Sequence, residues 1–408
     1  AQLNDVLTFW TSDNDTPLSI TSAGNAATLG GSPPAGRGAV RHLNRLWTWG
    51  DNSNPSQLRY SATNDPTTWS GVDSATISVD NDDGDRIIGC ISHKEKLFVF
   101  KGPNKGSIHV ISGRDATPVN SDLTRTKLLG GLVLQSPNGL IEVGDDVWFM
   151  TNNGVYSLAA TQRFADFTQA DLTRFLKTFF RDSINKSQLN LSWAVNYADK
   201  SAALFTFTPS GQSEPNAALG LSYIKQQEEG VKPFLVTGRD ALSAAIRITS
   251  NKTRQLVFGS TDGYVLSEDQ STRILPSSTA YTMRVTTPSI TLLPGDNVAT
   301  LYDMYMKSAP VGSYNINVDV TRDDETAQTF TFDQSSSGFQ LDTDALDTGV
   351  LGGSRLITTR ASAGGLSGEA RSVELDITQG GASQDAQIYE IGILMKPSSP
   401  TRSTGVTA

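Results

Sequence analysis

The sequence predicts an all-β protein in which a β-propeller is followed by a C-terminal β-sandwich. Short segments alternate apolar and polar residues with period two, and clusters of Gly, Asn and Asp separate them. These strand–turn–strand units recur about every 40–50 residues, which is the repeat length of a propeller blade. Charged residues make up 18% of the 408 residues, less than the usual share of roughly 25%.

We predict four parts along the chain: an N-terminal arm over 1–35, the propeller over 36–275, the sandwich over 276–396 and a polar tail over 397–408. The first 35 residues are polar and rich in turn formers, with a single candidate strand at Val6–Trp10. Leu275–Ser278 is typical of a linker, and longer alternating strands follow it. Residues 276–408 contain 8 basic and 15 acidic side chains, so −7 of the net charge of −9 lies there.

Alternation and turn chemistry place the individual strands. Asn153-Gly154 between two apolar runs is a strong hairpin signal. The predicted propeller strands cover 43–49, 58–61, 86–90, 97–100, 108–111, 139–143, 146–150, 155–158, 189–195, 203–207, 244–248, 255–259 and 264–266. The clearest sandwich strands cover 314–320, 330–332, 373–377 and 388–395.

One segment, 169–182, has the spacing of a helix. Apolar residues recur there at i, i+3, i+4, i+7 and i+8, and Thr168 supplies an N-cap. The stripe consists of Leu172, Phe175, Leu176, Phe179 and Phe180. Two interpretations are open: a helix that covers a face of the propeller, or a helix that docks a partner.

Charge and composition exclude several classes of protein. The net charge of −9 disfavours tight binding to nucleic acid phosphates. The single cysteine, Cys90, cannot form an internal disulfide or a Cys-rich metal site, and we expect it to be a buried, inert thiol. No apolar run has the length of a membrane-spanning helix. The N-terminus lacks the pattern of a signal peptide, so nothing here favours a secretory route.

Two segments that contain aspartate, Asp80–Asp85 and Ser61–Trp69, could have a chemical role. The run Asp80–Asp85 suggests calcium, but neither EF-hand register places Gly and Glu where such a loop needs them. We therefore predict a solvated turn there, with a looser structural calcium site as the alternative. Ser61–Trp69 loosely resembles the Asp-box hairpin of sialidase-like propellers, in which the Asp bonds turn amides and the Trp fills a blade corner.

The remaining candidates favour structural roles. We predict that the three histidines, His42, His93 and His109, are structural or surface residues. The tryptophans have two interpretations, a sugar platform or core filling, and strand-like surroundings favour the core; they are Trp47, Trp49, Trp69, Trp148 and Trp193. Gly352-Gly353 and Gly364-Gly365 are turn glycines without a following helix. We therefore assign no catalytic, cofactor-binding or metal-binding residue and expect no cofactor.

A set of short motifs gives the chain a family resemblance. They are Arg45–Gly50, Asn54–Ser61, Gly84–Gly89, Lys96–Lys101, Ser107–Val110, Ser136–Ile141 and Val147–Leu158. Together they resemble the tail hub or nozzle proteins of short-tailed bacteriophages, of the tail tubular B type, over 37–395. The chain is much shorter than the larger members of that type, so their inserted domains are expected to be missing.

The resemblance implies a structural virion protein that is not an enzyme. It implies a homohexameric ring below the adaptor that carries fibres or tailspikes and lets DNA pass without specific binding. The expected location is the phage tail, after assembly in the host cytoplasm. The alternative is a carbohydrate-binding or carbohydrate-active β-propeller protein, which as a glycosidase would show a pocket with paired carboxylates. A third hypothesis is another phage part, such as a fibre-anchoring protein.

Overall fold

The computed structural model describes residues 1–10, 15–21, 24–160, 170–224, 230–237, 242–260, 263–267, 282–294, 297–309, 315–333, 357–360, 366, 368–380 and 387–398. Strands dominate these residues, which confirms the predicted all-β class. The chain divides into two compact units, Ala1–Glu268 and Asp269–Ala408. The predicted boundary at 275/276 and its linker at 275–278 lie outside the described residues.

In its described residues, the first unit contains six antiparallel sheets, each built from strands consecutive in the sequence. Sheet 1 contains β1 (Gln2–Leu3), β2 (Val6–Phe9), β3 (Leu18–Thr21) and β4 (Ala26–Thr28). Sheet 2 contains β5 (Gly38–His42), β6 (Arg45–Trp49), β7 (Gln57–Tyr60) and β8 (Ala75–Ser78). Sheet 3 contains β9 (Arg86–His93), β10 (Lys96–Gly102), β11 (Ser107–Ser112) and β12 (Thr124–Gly130).

The other three sheets continue the series. Sheet 4 contains β13 (Leu140–Val143), β14 (Asp146–Met150) and β15 (Val155–Ser157). Sheet 5 contains β16 (Ala194–Tyr197), β17 (Ala202–Phe207), β18 (Ala217–Ser222) and β19 (Lys232–Thr237). Sheet 6 contains β20 (Ser243–Ile248), β21 (Arg254–Gly259) and β22 (Val265–Ser267). The first strand of each sheet contacts the first strand of the next sheet, in the order β1, β5, β9, β13, β16, β20. Meander sheets in series, joined through their first strands, form a β-propeller.

Apolar cores lie between consecutive sheets, and they explain why the strands alternate. Trp47 of sheet 2 packs in one cluster with Val99 of sheet 3. Phe100 packs with Phe149 between sheets 3 and 4, with ring centroids 5.1 Å apart. Leu204 and Leu256 share the core between sheets 5 and 6. Each sheet therefore buries apolar side chains against its neighbours, as a propeller requires.

The N-terminal segment differs from the prediction, since sheet 1 occupies most of the predicted arm at 1–35. Leu3 is fully buried and Thr8 is nearly so, although Leu7 and Phe9 are about 40% exposed. The strands have only two to four residues, and Ala26–Thr28 is exposed throughout. The candidate strand at Val6–Trp10 is present as β2, Val6–Phe9. The other three strands are too short to give a period-two signal, so tertiary packing alone reveals them.

The helix predicted over 169–182 is also shorter in the structure. A 3-10 turn at Arg174–Leu176 leads into helix α1, Lys177–Asp182, and the proposed N-cap Thr168 lies outside the described residues. Phe180 is buried in the core between sheets 4 and 5, whereas Phe175 is 84% exposed. Helix α1 therefore packs on the propeller through Phe180, while Phe175 of the predicted apolar stripe faces solvent.

The predicted strand at 189–195 begins as a 3-10 helix, Lys186–Leu191, and becomes a strand only at Ala194. The Asn185 side chain accepts a hydrogen bond from the Ser187 amide and starts that turn. A side-chain cap of this kind competes with strand formation and overrides the alternating pattern.

The described residues of the second unit form a β-sandwich of two sheets. Sheet 7 contains β23 (Thr282–Thr286), β24 (Ile290–Thr291), β26 (Asn315–Arg322), β27 (Gln328–Asp333) and β30 (Ser372–Gly380). Sheet 8 contains β25 (Ala299–Ala309), β28 (Ile357–Arg360), β29 (Gly368–Ala370) and β31 (Gln387–Pro397). Their inner faces share one core that includes Met304, Met306, Val318 and Phe330, all fully buried. Residues 399–408 of the predicted tail and the four turn glycines lie outside the described part of the chain.

Candidate functional site

Two hairpin turns lie side by side at one end of the propeller, one from sheet 3 and one from sheet 4. His93, at the end of β9, places Nδ1 2.9 Å from Glu142 Oε1 and Nε2 3.1 Å from the Asp145 carbonyl oxygen. Lys94 donates a hydrogen bond from Nζ to the same carbonyl at 2.9 Å. The structure thus joins groups about 50 residues apart in the sequence into one polar cluster.

A cleft of about 120 Å³ opens beside this cluster. Its polar lining comes from His93, Lys94, Lys96, Asp145 and Asp146, and its apolar lining from Phe98, Val147, Leu158 and Ala159. The volume is well below the roughly 300 Å³ at which pockets for drug-sized ligands begin. The cleft therefore suits a small polar end group.

The acidic residues that line the cleft have different tasks. Asp146 accepts hydrogen bonds from the amides of Val147 and Ala159 and from the side chains of Trp148 and Ser157, at 2.5–3.0 Å. Its carboxylate is therefore committed to holding sheet 4 together. The Asp145 side chain is 97% exposed and that of Lys94 is 56% exposed. Asp145 and Lys94 can therefore interact with a ligand.

Polar links continue on both sides of the cluster. His42 Nδ1 lies 2.8 Å from Ser92 Oγ, which joins sheet 2 to sheet 3. Asn196 donates a hydrogen bond from Nδ2 to the Glu142 carbonyl at 2.7 Å, which joins sheet 5 to sheet 4. These hydrogen bonds fix the first strands of four sheets relative to one another, and so they support the cleft from both sides.

The other two histidines are buried outside the cleft. Burial lowers the pKa of His42 from 6.5 to about 4. Burial also lowers the pKa of His109, and the attraction of nearby Asp80 opposes that shift. Both imidazoles therefore stay neutral near pH 7 and act as packing and hydrogen-bonding groups, as predicted.

The acidic run at 80–85 binds the ammonium group of a lysine from the neighbouring strand β10. The Lys101 ammonium, on a fully buried side chain, donates to the Val79 and Asp80 carbonyls at 2.8 and 2.5 Å and to Asp83 Oδ1 at 2.7 Å. The Asp85 carboxylate accepts the amides of Asn104, Lys105 and Gly106. The predicted solvated turn is present at Asn81, Asp82 and Gly84, which are exposed, but not at Asp85, which is buried. The Lys101 ammonium occupies the position that we considered for calcium.

Local hydrogen bonds explain the Asp-box-like hairpin. Asp65 accepts from the Thr67 amide at 2.8 Å and from the Thr68 hydroxyl at 2.6 Å. Hydrogen bonds from these threonines lower the pKa of Asp65. Trp69 donates from Nε1 to the Pro66 carbonyl and packs edge-on against Trp10. The motif is a structural turn.

Cys90 and the strand tryptophans belong to the core. Burial raises the pKa of the Cys90 thiol. Trp47, Trp49 and Trp148 are at most 5% exposed, which excludes them from a sugar platform.

Within the described ranges, no three His, Cys, Asp or Glu side chains are grouped to hold a metal ion. No helix in those ranges is long and apolar enough to span a membrane.

The sequence did not reveal the cleft. His93 ends the eight-residue strand β9, Glu142 is the third residue of β13, and no motif connects them. The only local signal was the polar turn at 93–95. Their proximity depends on sheets 3 and 4 being neighbours with their first hairpins at the same end.

Comparisons with family models and with curated proteins give no match. Among solved structures, an exo-beta-1,3-galactanase from Phanerochaete chrysosporium, with beta-1,3-galactotriose, is 12% identical, with a TM-score of 0.31 over 94% of this chain and 98% of that chain. A structure titled glycoside hydrolase is 10% identical, with a TM-score of 0.27 over 97% and 82%. A family 43 arabinoxylan arabinofuranohydrolase from Bacillus subtilis, with cellotetraose, is 11% identical, with a TM-score of 0.20 over 97% and 96%.

The comparison with solved structures bears on the prediction that the chain is not an enzyme, and it does not test the predictions about a phage tail. All three name glycoside hydrolases, which contradicts our prediction that the chain is not an enzyme, and we withdraw it. At TM-scores of 0.31 and below, the likeness gives this chain no activity, substrate or catalytic residue. None of the three titles names a phage tail protein. The hexamer, its adaptor and fibre partners, DNA passage and the virion location therefore stay predictions.

Proposed function

We propose that this chain is a carbohydrate-binding β-propeller protein that holds a sugar end group in the cleft between sheets 3 and 4. The observation that carries the proposal is the mixed lining of that cleft, in which exposed Lys94 and Asp145 occur together with the largely buried apolar side chains of Phe98 and Leu158. A sugar presents hydroxyl groups, which donate to carboxylates and accept from ammonium groups, and C–H faces, which pack on apolar side chains.

The cleft is preorganised for this task. The hydrogen bonds of His93 to Glu142 and to the Asp145 carbonyl fix the two turns before a ligand arrives. Asp146 fixes the wall behind them. Lys94 is already held by the Asp145 carbonyl, so a ligand orders only the exposed side chains of Lys96 and Asp145, which keeps the entropic cost of binding low.

Binding is tested with immobilised glycans carrying different terminal sugars, and affinities are then measured by calorimetry. We expect Asp145→Asn and Lys96→Ala to weaken binding about tenfold each, the loss of one charged hydrogen bond of about 1.4 kcal/mol. Lys105→Ala, which changes an exposed lysine outside the cleft lining, is the matched control. Binding by the wild type that neither cleft variant weakens would overturn the proposal, as would no binding at all.

Hydrolysis is a separate measurement on the same cleft. A glycosidase needs one carboxylic acid and one carboxylate on opposite sides of the scissile bond. Asp145 lines the cleft and Glu142 lies beside it on His93, and neither carboxylate accepts a hydrogen bond within sheet 4. If reducing sugar is released from a bound glycan, Glu142→Gln should abolish the release while binding persists.

We also propose, as a second candidate, the tail component suggested by the family resemblance. In its favour, the motifs that carry the resemblance lie on consecutive strands of sheets 2, 3 and 4, and a second β unit follows the propeller. The expected assembly is a homohexameric ring that binds the adaptor and a fibre or tailspike. Native mass spectrometry and electron microscopy test this, and a strictly monomeric protein at micromolar concentration contradicts it.

A further inference from the structure

Three of the ten tyrosines lie on two adjacent strands of the sandwich unit, β25 and β31. Tyr302 is 52% exposed and Tyr389 is 62% exposed, and Tyr305 lies between them. We propose that these three tyrosines, the tyrosine face of sheet 8, bind a linear, uncharged oligosaccharide. This site lies in the second unit and does not depend on the proposed cleft of the propeller.

Two β-bulges place the outer tyrosines on this face. The pairing of β25 with β31 shifts between Leu301 and Asp303, which leaves Tyr302 as the extra residue. It shifts again between Lys307 and Ser308, which leaves Tyr389 as the extra residue of β31. Bulges often re-aim a side chain next to a functional site. Each bulge here turns a tyrosine away from the core into solvent.

Tyr305 lies flat on the sheet because its cross-strand neighbour is a glycine. A Cβ added to Gly392 would lie 2.2–2.5 Å from atoms of the Tyr305 ring and its hydroxyl. The hydroxyl donates a 2.7 Å hydrogen bond to Glu390 Oε1, which holds the ring down. The Lys307 ammonium lies over the ring, 5.9 Å from its centroid, so a sugar that stacks its C–H face on Tyr305 takes the place of that ammonium.

Charged side chains of both signs surround the rings. Lys307 donates from Nζ to Glu390 Oε2 at 2.6 Å, and Arg360 Nε lies 3.8 Å from Asp303 Oδ2. Two acidic and two basic groups balance, so the face has no net charge to attract a polyanion or a polycation. Their oxygen and nitrogen atoms match the hydroxyl groups of a neutral glycan.

A structural role accounts for Tyr305 but not for its neighbours. Covering a strand glycine is a known stabilising use of an aromatic ring. Tyr302 and Tyr389, by contrast, make no hydrogen bond or ring contact with the described residues. Two largely exposed rings beside a flat third ring are typical of a binding surface rather than of a core.

The spacing of the rings sets the size of the ligand. Tyr302 and Tyr305 are three residues apart, and Tyr389 lies beside the Lys307–Ser308 pairing, two to three residues further along. At a strand rise of about 3.3 Å per residue, the rings span roughly 17–20 Å. One monosaccharide cannot reach all three rings, so the ligand is a chain of several sugars.

The test uses the full chain and three neutral probes, cellohexaose, xylohexaose and laminarihexaose, with calorimetry as the measurement. We expect at least one hexasaccharide to bind, and Tyr302→Ala and Tyr389→Ala each to weaken it about threefold to tenfold. Gly392→Ala should also weaken it, because the new Cβ displaces the Tyr305 ring. Tyr264→Ala, at a 69% exposed tyrosine of the first unit, is the matched control and should change the affinity less than twofold.

The possible results separate this proposal from the propeller cleft. Binding that survives Asp145→Asn and Lys96→Ala but falls in the tyrosine variants supports the tyrosine face alone. Binding that falls only in the cleft variants overturns the tyrosine face and supports the cleft. If none of the three hexasaccharides binds the wild type, the tyrosine face is also overturned. The tyrosines are exposed, so circular dichroism should show that their variants fold normally.

Discussion

Lys101 Nζ lies 2.7 Å from Asp83 Oδ1, and the lysine side chain is fully buried while that of Asp83 is 17% exposed. Burial by itself would raise the pKa of Asp83. The hydrogen bond from Lys101, the hydrogen bond from the Asp85 amide and the positive charge of Lys101 together outweigh that effect, so the pKa of Asp83 lies below its usual value. The pair closes the acidic loop at 80–85 over β10.

Removing one partner of this pair should destabilise the first unit. Asp83→Asn leaves a buried ammonium without its counter-charge, and we expect a loss of about 3 kcal/mol in the free energy of unfolding. Urea titration followed by tryptophan fluorescence measures it. Asp182→Asn, which breaks the exposed pair with Arg181, is the control and should leave the midpoint unchanged. If Asp83→Asn and Asp182→Asn have the same urea midpoint, the ion pair of Lys101 with Asp83 does not stabilise the first unit.

Calcium should not stabilise the protein through this loop, since the Lys101 ammonium takes the oxygen atoms that a cation would use. We expect the same melting temperature in 1 mM calcium and in EDTA. Ligand binding to the folded state raises the melting temperature. A rise of several degrees in calcium that Asp83→Asn abolishes would show a site there.

His42 should make stability depend on pH. Its pKa is about 4 when folded against 6.5 for the free side chain, so the unfolded chain binds the proton first as pH falls. The stabilisation is complete above pH 6.5 and is lost as pH falls towards 4. We expect His42 to contribute a loss of about 2 kcal/mol between pH 7.5 and 5.

The variant His42→Asn isolates this contribution, because Asn retains a polar group near the position of Nδ1 but does not titrate. The difference in unfolding free energy between the wild type and the variant should shrink as pH falls. His109 is present in both proteins, so its titration cancels in that difference. A difference that is constant from pH 7.5 to 5 would rule out the low pKa of His42.

Gly154, in the Asn-Gly turn, makes room for a buried polar group. A Cβ there would lie 2.6 Å from Thr173 Oγ1, which accepts the Val155 amide, and 2.9 Å from Asp171 Oδ1. We expect Gly154→Ala to cost about 2 kcal/mol in urea unfolding. Gly30→Ala, whose Cβ would meet nothing within 4 Å, should be neutral. Equal stability of both variants and the wild type would contradict the close packing of Gly154 against Thr173 and Asp171.

The two phenylalanines of the helix region should behave oppositely. Phe180 is 2% exposed and packs edge-on against Phe179, so Phe180→Ala should cost about 3–4 kcal/mol. Phe175 is 84% exposed, and Phe175→Ala should change stability by less than about 0.5 kcal/mol. Thermal and urea unfolding measure both changes. A large loss in Phe175→Ala would show that this side chain is covered in solution.

Much of the strand pattern was predictable because its signals are local. The hairpin at Asn153-Gly154 and the apolar run of β10 need only turn chemistry and alternation. Of sheet 1, only the strand at Val6–Phe9 was predicted, because the other three strands are too short to alternate. The helix at 169–182 was overestimated because a helical stripe does not show where the helix ends; Asp171 instead pairs with Tyr156 in an isolated bridge.

The sequence by itself determined the all-β class, the blade-length repeat and the acidic C-terminal unit, because composition and periodicity are properties of neighbouring residues. Tertiary structure alone decided which groups meet. It placed His93 beside Glu142, Lys101 inside the acidic loop, and Tyr305 flat on Gly392. These contacts depend on sheet order, strand register and bulges, and a one-residue shift in register would send each side chain to the opposite face.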